Sequence, residues 1–411
     1  MSDKQFTVLI LTADAGFGHR AAANALKQAL EDAHGDCCRV TISNPIDHPK
    51  TPKMLKDSQN DYDEIIKNLP DLYAMGYKAS DATIPATLME GGLIVLLYEA
   101  LQDILAKHRP DLVITTYPTY QAPLDAINQL GKRRIPWITI ITDLVTVHRL
   151  WLHPGARVCM VPTEAVKQRA LKAGVDPKRI VQSSIPVNPR FQDLKAMDKH
   201  DLREDFGWDP NLTTLLVVGG TRVTTLMDAL RVIDHSGFPL QMALVAGNDQ
   251  DLRQTFESID WHHPVRVYGF VETMPEFMRA ADLIVCKAGG LIVTESLASG
   301  LPMMLTQALP GQEIGNAEFI VQHQAGALCR EPLEVLQTLS HWLLNDAAGL
   351  KKAAKNAARL GRADAARVIA HHAWSILKET PKPTNPIKNP EKTGLLKELL
   401  TQFKIPWRSE N

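Results

Sequence analysis

Phe6-Thr-Val-Leu-Ile-Leu11 runs into Thr12-Ala-Asp14-Ala-Gly16-Phe17-Gly18-His19-Arg20-Ala21, and from Arg20 a helical pattern continues to Ala33. An apolar strand, a glycine loop and a helix in that order are the repeating unit of a parallel α/β sheet. The same alternation extends outward. Further strands are expected at Arg39–Ile42, Leu112–Thr115, Trp137–Ile141 and Val158–Val161, with helices at Gly91–His108, Ala122–Leu130 and Thr163–Ala173. A second set of strands starts at Thr213–Val218 and continues at Gln241–Ala246, Val265–Tyr268, Leu283–Cys286 and Met303–Thr306. Between the sets, Ile185–Trp208 carries Pro186, Pro189 and the charged run Lys195–Asp205, and reads as a linker. The expected fold class is α/β, with two Rossmann-like doubly wound domains over residues 1–195 and 196–375 and a cleft between them. Residues 376–411 read as a flexible Pro/Lys tail ending in a short amphipathic helix, Gly394–Phe403.

Composition narrows the class. The 411 residues are 45% apolar and 22% charged, an ordinary globular balance. Five cysteines (37, 38, 159, 286 and 329) without Cys-x-x-Cys spacing argue against a disulfide scaffold or a structural zinc site and favour a reducing cytoplasm. Phe6–Leu11 is too short for a signal-peptide core, and no run approaches the roughly 20 apolar residues that cross a bilayer. The net charge of −1 is unevenly spread: +2 over residues 1–200, −11 over 201–350 and +8 over 351–411. A net charge this close to zero argues against nucleic acid as a partner.

Chemistry in a doubly wound protein lies in the loops after strands. Gly16-Phe17-Gly18-His19-Arg20-Ala21 fits the dinucleotide spacing G-x-G-x-x-G/A, but the second strand ends in Ser43-Asn44-Pro45, with no carboxylate to hold a ribose. That argues against a dehydrogenase. His19, in a glycine loop facing the cleft, has two readings: a general base with a suitable imidazole, or a residue that merely caps the helix. Lys287-Ala-Gly289-Gly290-Leu291 precedes a second helix, whose bare N-terminal amides suit a diphosphate. Glu295 lies one turn in, placed to hold a ribose diol, while Gln312, Glu313 and Asn316 offer groups that grip sugar hydroxyls. A glycine loop, a Glu and then Gln-Glu-x-x-Asn describe a nucleotide-sugar site.

With these motifs the sequence resembles the MurG-type, two-domain GT-B glycosyltransferases of family 28, and more closely the monogalactosyldiacylglycerol synthases and bacterial diacylglycerol glucosyltransferases. The likeness spans about residues 6–375. Its anchors are Gly18-His19-Arg20; Thr142-Asp143-Leu144-x-Thr146-x-His148-x-x-Trp151-x-His153; Pro162-Thr163-Glu164; Ile185-Pro186-Val187-x-Pro189; Gly269-Phe270; and Pro310-Gly311-Gln312-Glu313-x-Gly315-Asn316. The resemblance implies an inverting, metal-independent hexosyltransferase that moves glucose or galactose from a UDP-sugar to diacylglycerol or a related lipid, with the UDP-sugar as substrate and no cofactor. It implies His19 and Asp143 as catalytic residues. On the donor side it implies Gly18, Gly219, Gly220, Phe270, Val271, Lys287, Gly289, Gly290, Leu291, Thr294, Glu295, Gln312, Glu313 and Asn316, and on the acceptor side Phe17, Tyr117, His148 and Trp151.

The sequence departs from that pattern in places. Phe17 interrupts the glycines that precede the histidine in plant relatives and reshapes the acceptor mouth. Asn188 stands where many relatives have Arg, and Gly290-Leu291 resembles the bacterial branch, so glucose and galactose both stay open. A UDP-sugar epimerase or hydrolase on the same fold is the alternative enzyme. Residues 101–200 carry +7 and residues 351–411 carry +8, a basic surface that suits an anionic membrane. Near such a surface each Lys or Arg contributes about 1 kcal/mol. The expected location is the cytoplasm, bound peripherally to the inner face of the cell membrane.

Overall fold

A computed structural model of the chain describes residues 5–14, 17–57, 79–131, 134–220, 226–309 and 312–379, without the side chains at 17, 83, 84 and 312. The Phe17 and Gln312 side chains and the tail beyond Glu379, with its expected amphipathic helix, therefore lie outside the described residues.

The first sheet has strands β1 (Phe6–Leu11), β2 (Cys38–Ser43), β3 (Leu112–Thr115), β4 (Trp137–Ile140), β5 (Val158–Val161) and β6 (Ile180–Gln182), ordered β2-β1-β3-β4-β5-β6. The second has β7 (Thr213–Val218), β8 (Leu240–Val245), β9 (Val265–Tyr268), β10 (Leu283–Lys287), β11 (Met303–Gln307) and β12 (Gly326–Leu328), ordered β12-β11-β10-β7-β8-β9. Every pairing is parallel; Val8, for example, stands opposite both Val40 and Leu112. Sheets covered on both faces bury both sides of each strand, which is why Val8, Leu9, Ile10 and Leu11 are all fully buried.

The helices are α1 (Phe17–His34), α2 (Thr83–His108), α3 (Gln121–Leu130), α4 (Glu164–Lys172), α5 (Arg190–Asp193), α6 (Lys199–Asp205), α7 (Leu226–Asp234), α8 (Gln250–Ser258), α9 (Met274–Ala280), α10 (Gly290–Ser299), α11 (Gln312–Gln322), α12 (Pro332–Leu360) and α13 (Ala365–Glu379). Helix α2 begins at Thr83, not Gly91, because Pro85 falls in its first turn, where a missing N–H costs no helical hydrogen bond.

The stretch read as a linker is built into the second domain. Phe191 and Leu194, at α5 and the turn after it, Leu202 of α6 and Trp208 are buried in its core, and the Trp208 indole donates to Tyr268 Oη at 2.8 Å. Arg203, 5% exposed, donates to the carbonyls of Ala280 (2.8 Å) and Pro210 (3.0 Å) and to Asp282 Oδ2 (2.6 Å). Its charge marked the segment as solvated, but it ties α6 to the end of α9. Helix α13 also departs from the expected division at 375. Ala366, Ile369, Ala370, Ala373, Ile376 and Leu377 join the first sheet's core, and Trp374 stacks on His34 with ring centroids 4.0 Å apart. The chain thus returns to the first domain, and Ile376–Glu379, expected in the flexible tail, is helical.

Candidate active site

Loops at the carboxyl ends of the two sheets meet face to face. Two glycines of the second domain allow the approach. A Cβ on Gly290, at the start of α10, would stand 3.2 Å from the carbonyl oxygen of Thr142. One on Gly315, in α11, would stand 2.4 Å from Thr146 Oγ1 and 3.3 Å from Val145 Cβ. Gly18 of α1 faces Leu291 in the same seam, its Cβ position 3.8 Å from Leu291 Cβ. The loop after β4 is therefore held between α10 and α11.

His19 lies in the first turn of α1, on this seam. Its Nδ1 shares a hydrogen bond with Thr142 Oγ1 at 2.8 Å, its carbonyl accepts from Thr116 Oγ1 at 3.1 Å, and its ring meets Tyr117 edge-on at 4.9 Å. Burial lowers its pKa to about 4, against a smaller opposing effect of the Thr116 backbone on the ring, so the imidazole is neutral at pH 7. Arg20 beside it is clamped by both oxygens of Asp14 (2.8 and 2.7 Å), and Asn44 donates to that carboxylate at 3.1 Å. These bonds fix the loop's exit into α1.

Asp143 is not paired with His19. Its Oδ2 accepts from the Trp151 indole at 2.7 Å, and burial raises its pKa to about 6 against the opposing effect of that bond. Trp151 is 1% exposed and belongs to the first domain's core. His148 is likewise turned inward: Nδ1 accepts from the Leu150 amide at 3.2 Å and Nε2 lies 3.2 Å from Ser80 Oγ. Both residues brace the loop after β4, whereas Tyr117 faces His19.

Across the seam, Gly289 precedes α10 with no side-chain cap among the described residues, so the first amides of the helix, which have no intrahelical partner, stay uncapped there. Thr294, 1% exposed, donates back to the Gly290 carbonyl at 2.7 Å and stiffens that turn. Lys287 pairs with Glu313 Oε1, and Glu313 Oε2 accepts from the Leu309 amide at 3.0 Å. Asn316, 3% exposed, donates to the Ala288 carbonyl at 3.0 Å, while its Oδ1 is buried without a partner among the described residues. Glu313 and Asn316 thus hold the loops after β10 and β11, and only Asn316 keeps a spare acceptor.

Glu295 is partly buried on α10 with no hydrogen bond among the described residues, and desolvation raises its pKa to about 8. The Phe270 side chain is 64% exposed at the rim, with Val271 packed beneath it against the core. Gly219 is a packing glycine, since a Cβ there would stand 2.6 Å from Leu252 Cδ2; Gly220 follows it with φ +149°. Sequence reasoning missed Thr142 and Thr116 as partners of His19 and Thr146 as the neighbour of Gly315. Thr142 and Thr146 were already visible in the Thr-Asp-Leu-x-Thr motif.

The family model of monogalactosyldiacylglycerol (MGDG) synthase matches residues 19–187, and that of the glycosyltransferase family 28 C-terminal domain matches residues 214–371. Monogalactosyldiacylglycerol synthase 3, chloroplastic, of Arabidopsis thaliana is 32% identical over 372 residues, covering 87% of this chain and 79% of that protein. Among solved structures, MurG of Acinetobacter baumannii superposes with TM-score 0.56 at 17% identity, covering 90% of this chain and 99% of that one. A UDP-N-acetylglucosamine 2-epimerase from Listeria monocytogenes gives 0.60 at 16%, covering 93% and 100%. The structural likenesses establish a two-domain GT-B fold shared by transferases and epimerases, and the two family matches and the sequence identity decide between them. The chain belongs to the monogalactosyldiacylglycerol synthase family of glycosyltransferases.

Proposed function

We infer that the protein transfers a hexose from a UDP-sugar to the primary hydroxyl of diacylglycerol, with inversion, and so makes a membrane glycolipid. The observation that carries this reading is that the first turn of α1, with His19, faces the uncapped N-terminus of α10 across one seam, where a Cβ on Gly18 would stand 3.8 Å from Leu291 Cβ. A base on one wall and an anion cradle on the other are what a single displacement requires.

In this reading Nδ1 of His19 donates its proton to Thr142 Oγ1, which leaves Nε2 bare to take the acceptor's hydroxyl proton as the oxygen attacks the anomeric carbon. The bond to UDP breaks on the opposite face, and its electron pair leaves on the diphosphate. Preorganised amides at the start of α10, with Lys287 beside them, stabilise that charge without reorganising. Residues 201–350, which carry −11, could not hold a diphosphate by bulk attraction, so directed amides are the means available.

Glu295 takes the ribose diol, the backbone at Phe270–Val271 takes the uracil, and Asn316 Oδ1 accepts from a sugar hydroxyl. Gly289 and Gly290 keep the diphosphate approach open, and Gln312 and Glu313 border the sugar. Phe17, Tyr117, His148 and Trp151 shape the acceptor side, the last two by bracing it. The acceptor is a lipid, and no helix among the described residues is long and apolar enough to cross a membrane. The enzyme therefore meets its substrate from the membrane face, drawn by the basic charge of residues 101–200 and the tail. Incubation with diacylglycerol and, in turn, UDP-glucose and UDP-galactose, with products weighed by mass spectrometry, tests this directly. A β-glycosyl lipid is expected from one of the two donors. Conversion of the UDP-sugar without acceptor would instead mark an epimerase or hydrolase.

A further inference from the structure

The second domain carries a side-chain cluster with no part in the reaction above. Asp234 ends α7, His235 follows it, and His262 lies in the turn before β9; one potential ligand atom from each falls within 4.8 Å of the others. In a parallel sheet the end of a crossover helix and the start of the next strand share the amino-terminal edge. The cluster is therefore on the side of the sheet opposite the seam. The sequence pointed to no metal centre, and no motif spacing joins residues 28 positions apart.

The carboxylate is preorganised. Asp234 is 4% exposed, and its Oδ1 accepts from the amides of His262 (2.9 Å) and His263 (3.3 Å). That directs Oδ2 toward the two imidazoles: His262 Nδ1 lies 2.8 Å from it and His235 Nδ1 3.9 Å. Burial opposes ionisation of Asp234, but the bonds from the His262 ring and the two amides outweigh it, and its pKa stays below the usual value. The rings themselves lie 4.4 Å apart, with side chains 65% and 63% exposed, so an ion can enter from solvent and the rings can turn.

We propose that Asp234, His235 and His262 form a binding site for a divalent transition-metal ion of the zinc class, with water completing its coordination. Two imidazoles and one carboxylate are a donor set suited to zinc. A tetrahedral ion with bonds of about 2.0–2.1 Å sets its ligand atoms about 3.3 Å apart. The His262–Asp234 pair opens slightly to reach this, and His235 gives up its 3.0 Å bond to the Arg231 carbonyl. The buried, doubly bonded carboxylate oxygen supplies the second shell that holds such a ligand in place. Bound metal clamps α7 to the turn before β9.

Zinc titrated calorimetrically into chelator-stripped full-length protein tests the proposal. One saturable site is expected, weakened at least roughly tenfold in His262→Gln and in His235→Gln but unchanged in His371→Gln, a histidine on α13. Cobalt(II) should give a tetrahedral absorption band that both cluster variants lose. Both side chains are largely exposed, so these variants fold, and their unshifted melting without zinc confirms it. Equal zinc affinity in wild type and both variants, or uptake that never saturates, overturns the proposal.

Discussion

Glu295→Gln isolates the energetic consequence of half-burying a carboxyl on α10 with no hydrogen-bond partner among the described residues. Its pKa of about 8 in the folded protein stands well above the ordinary glutamate value of 4.5. Between those values the folded state holds a proton that the unfolded state has released, so stability is greatest below pH 4.5 and falls as pH rises toward 8. Each pKa unit is worth 1.36 kcal/mol, so the full cost is about 5 kcal/mol above pH 9, and about 3 kcal/mol is already present at pH 7. Glutamine has nearly the same shape and does not ionise, so the variant should stand within about 1 kcal/mol of wild type at pH 5 and exceed it increasingly above. For a unit of this size, 1 kcal/mol is roughly 2–4 °C in melting temperature, which makes the expected gain roughly 6–12 °C at pH 7. Scanning calorimetry of both proteins from pH 5 to pH 9 measures it. Melting curves that run parallel over the whole range would refute the reasoning, since the carboxyl would then titrate alike folded and unfolded. A residue that destabilises the free protein this much implies a function that uses its charge.

That function carries its own signature. A ribose diol gives ionised Glu295 the bonds it lacks, so UDP binding at pH 7 should release about one proton, counted by calorimetry in buffers of different ionisation enthalpy; no release would remove Glu295 from the ribose. Gly315→Ala should weaken transfer while leaving UDP binding within a few fold. The methyl group gains about 1 kcal/mol of helix propensity in α11 but crowds Val145 and Thr146, and overpacking of this kind costs 1–3 kcal/mol, roughly tenfold or more in kcat/KM where it falls on closure. Unchanged kcat/KM would separate the seam from catalysis. Arg203→Met should lower stability by about 1–3 kcal/mol in thermal or urea unfolding, because the carbonyls of Ala280 and Pro210 lose this donor, while Asp282 keeps Lys199 and the Thr214 amide.

Much of the architecture is legible in the residues themselves. Runs such as Thr213–Val218 are apolar over a strand's length, and glycine after a strand marks a loop at the carboxyl edge. Strands β6 and β12 were not legible, being three-residue edge strands that contain Gln182 and Gly326. Lys195–Asp205 looked solvated because charge was read residue by residue, whereas Arg203 is buried by partners that are distant in sequence. No local pattern in Ala365–Glu379 says which sheet its apolar face will cover, so the return of α13 to the first domain is visible only in three dimensions. At the site, residue types and loops were readable but partners were not. The resemblance implies Asp143 as a catalytic residue alongside His19, and in the fold Asp143 holds Trp151 while Thr142 holds His19. Hydrogen bonding across a sheet is decided by which loops fold side by side.

The division of labour between the two walls is the account's central claim, and His19→Ala tests it most directly. Calorimetry with UDP and a transfer assay with diacylglycerol and the active UDP-hexose are run on the same preparation. The account predicts transfer reduced to background with UDP affinity within about threefold of wild type, an energy change under 1 kcal/mol. Transfer that persists near the wild-type rate, or UDP binding that is lost along with transfer, would contradict it.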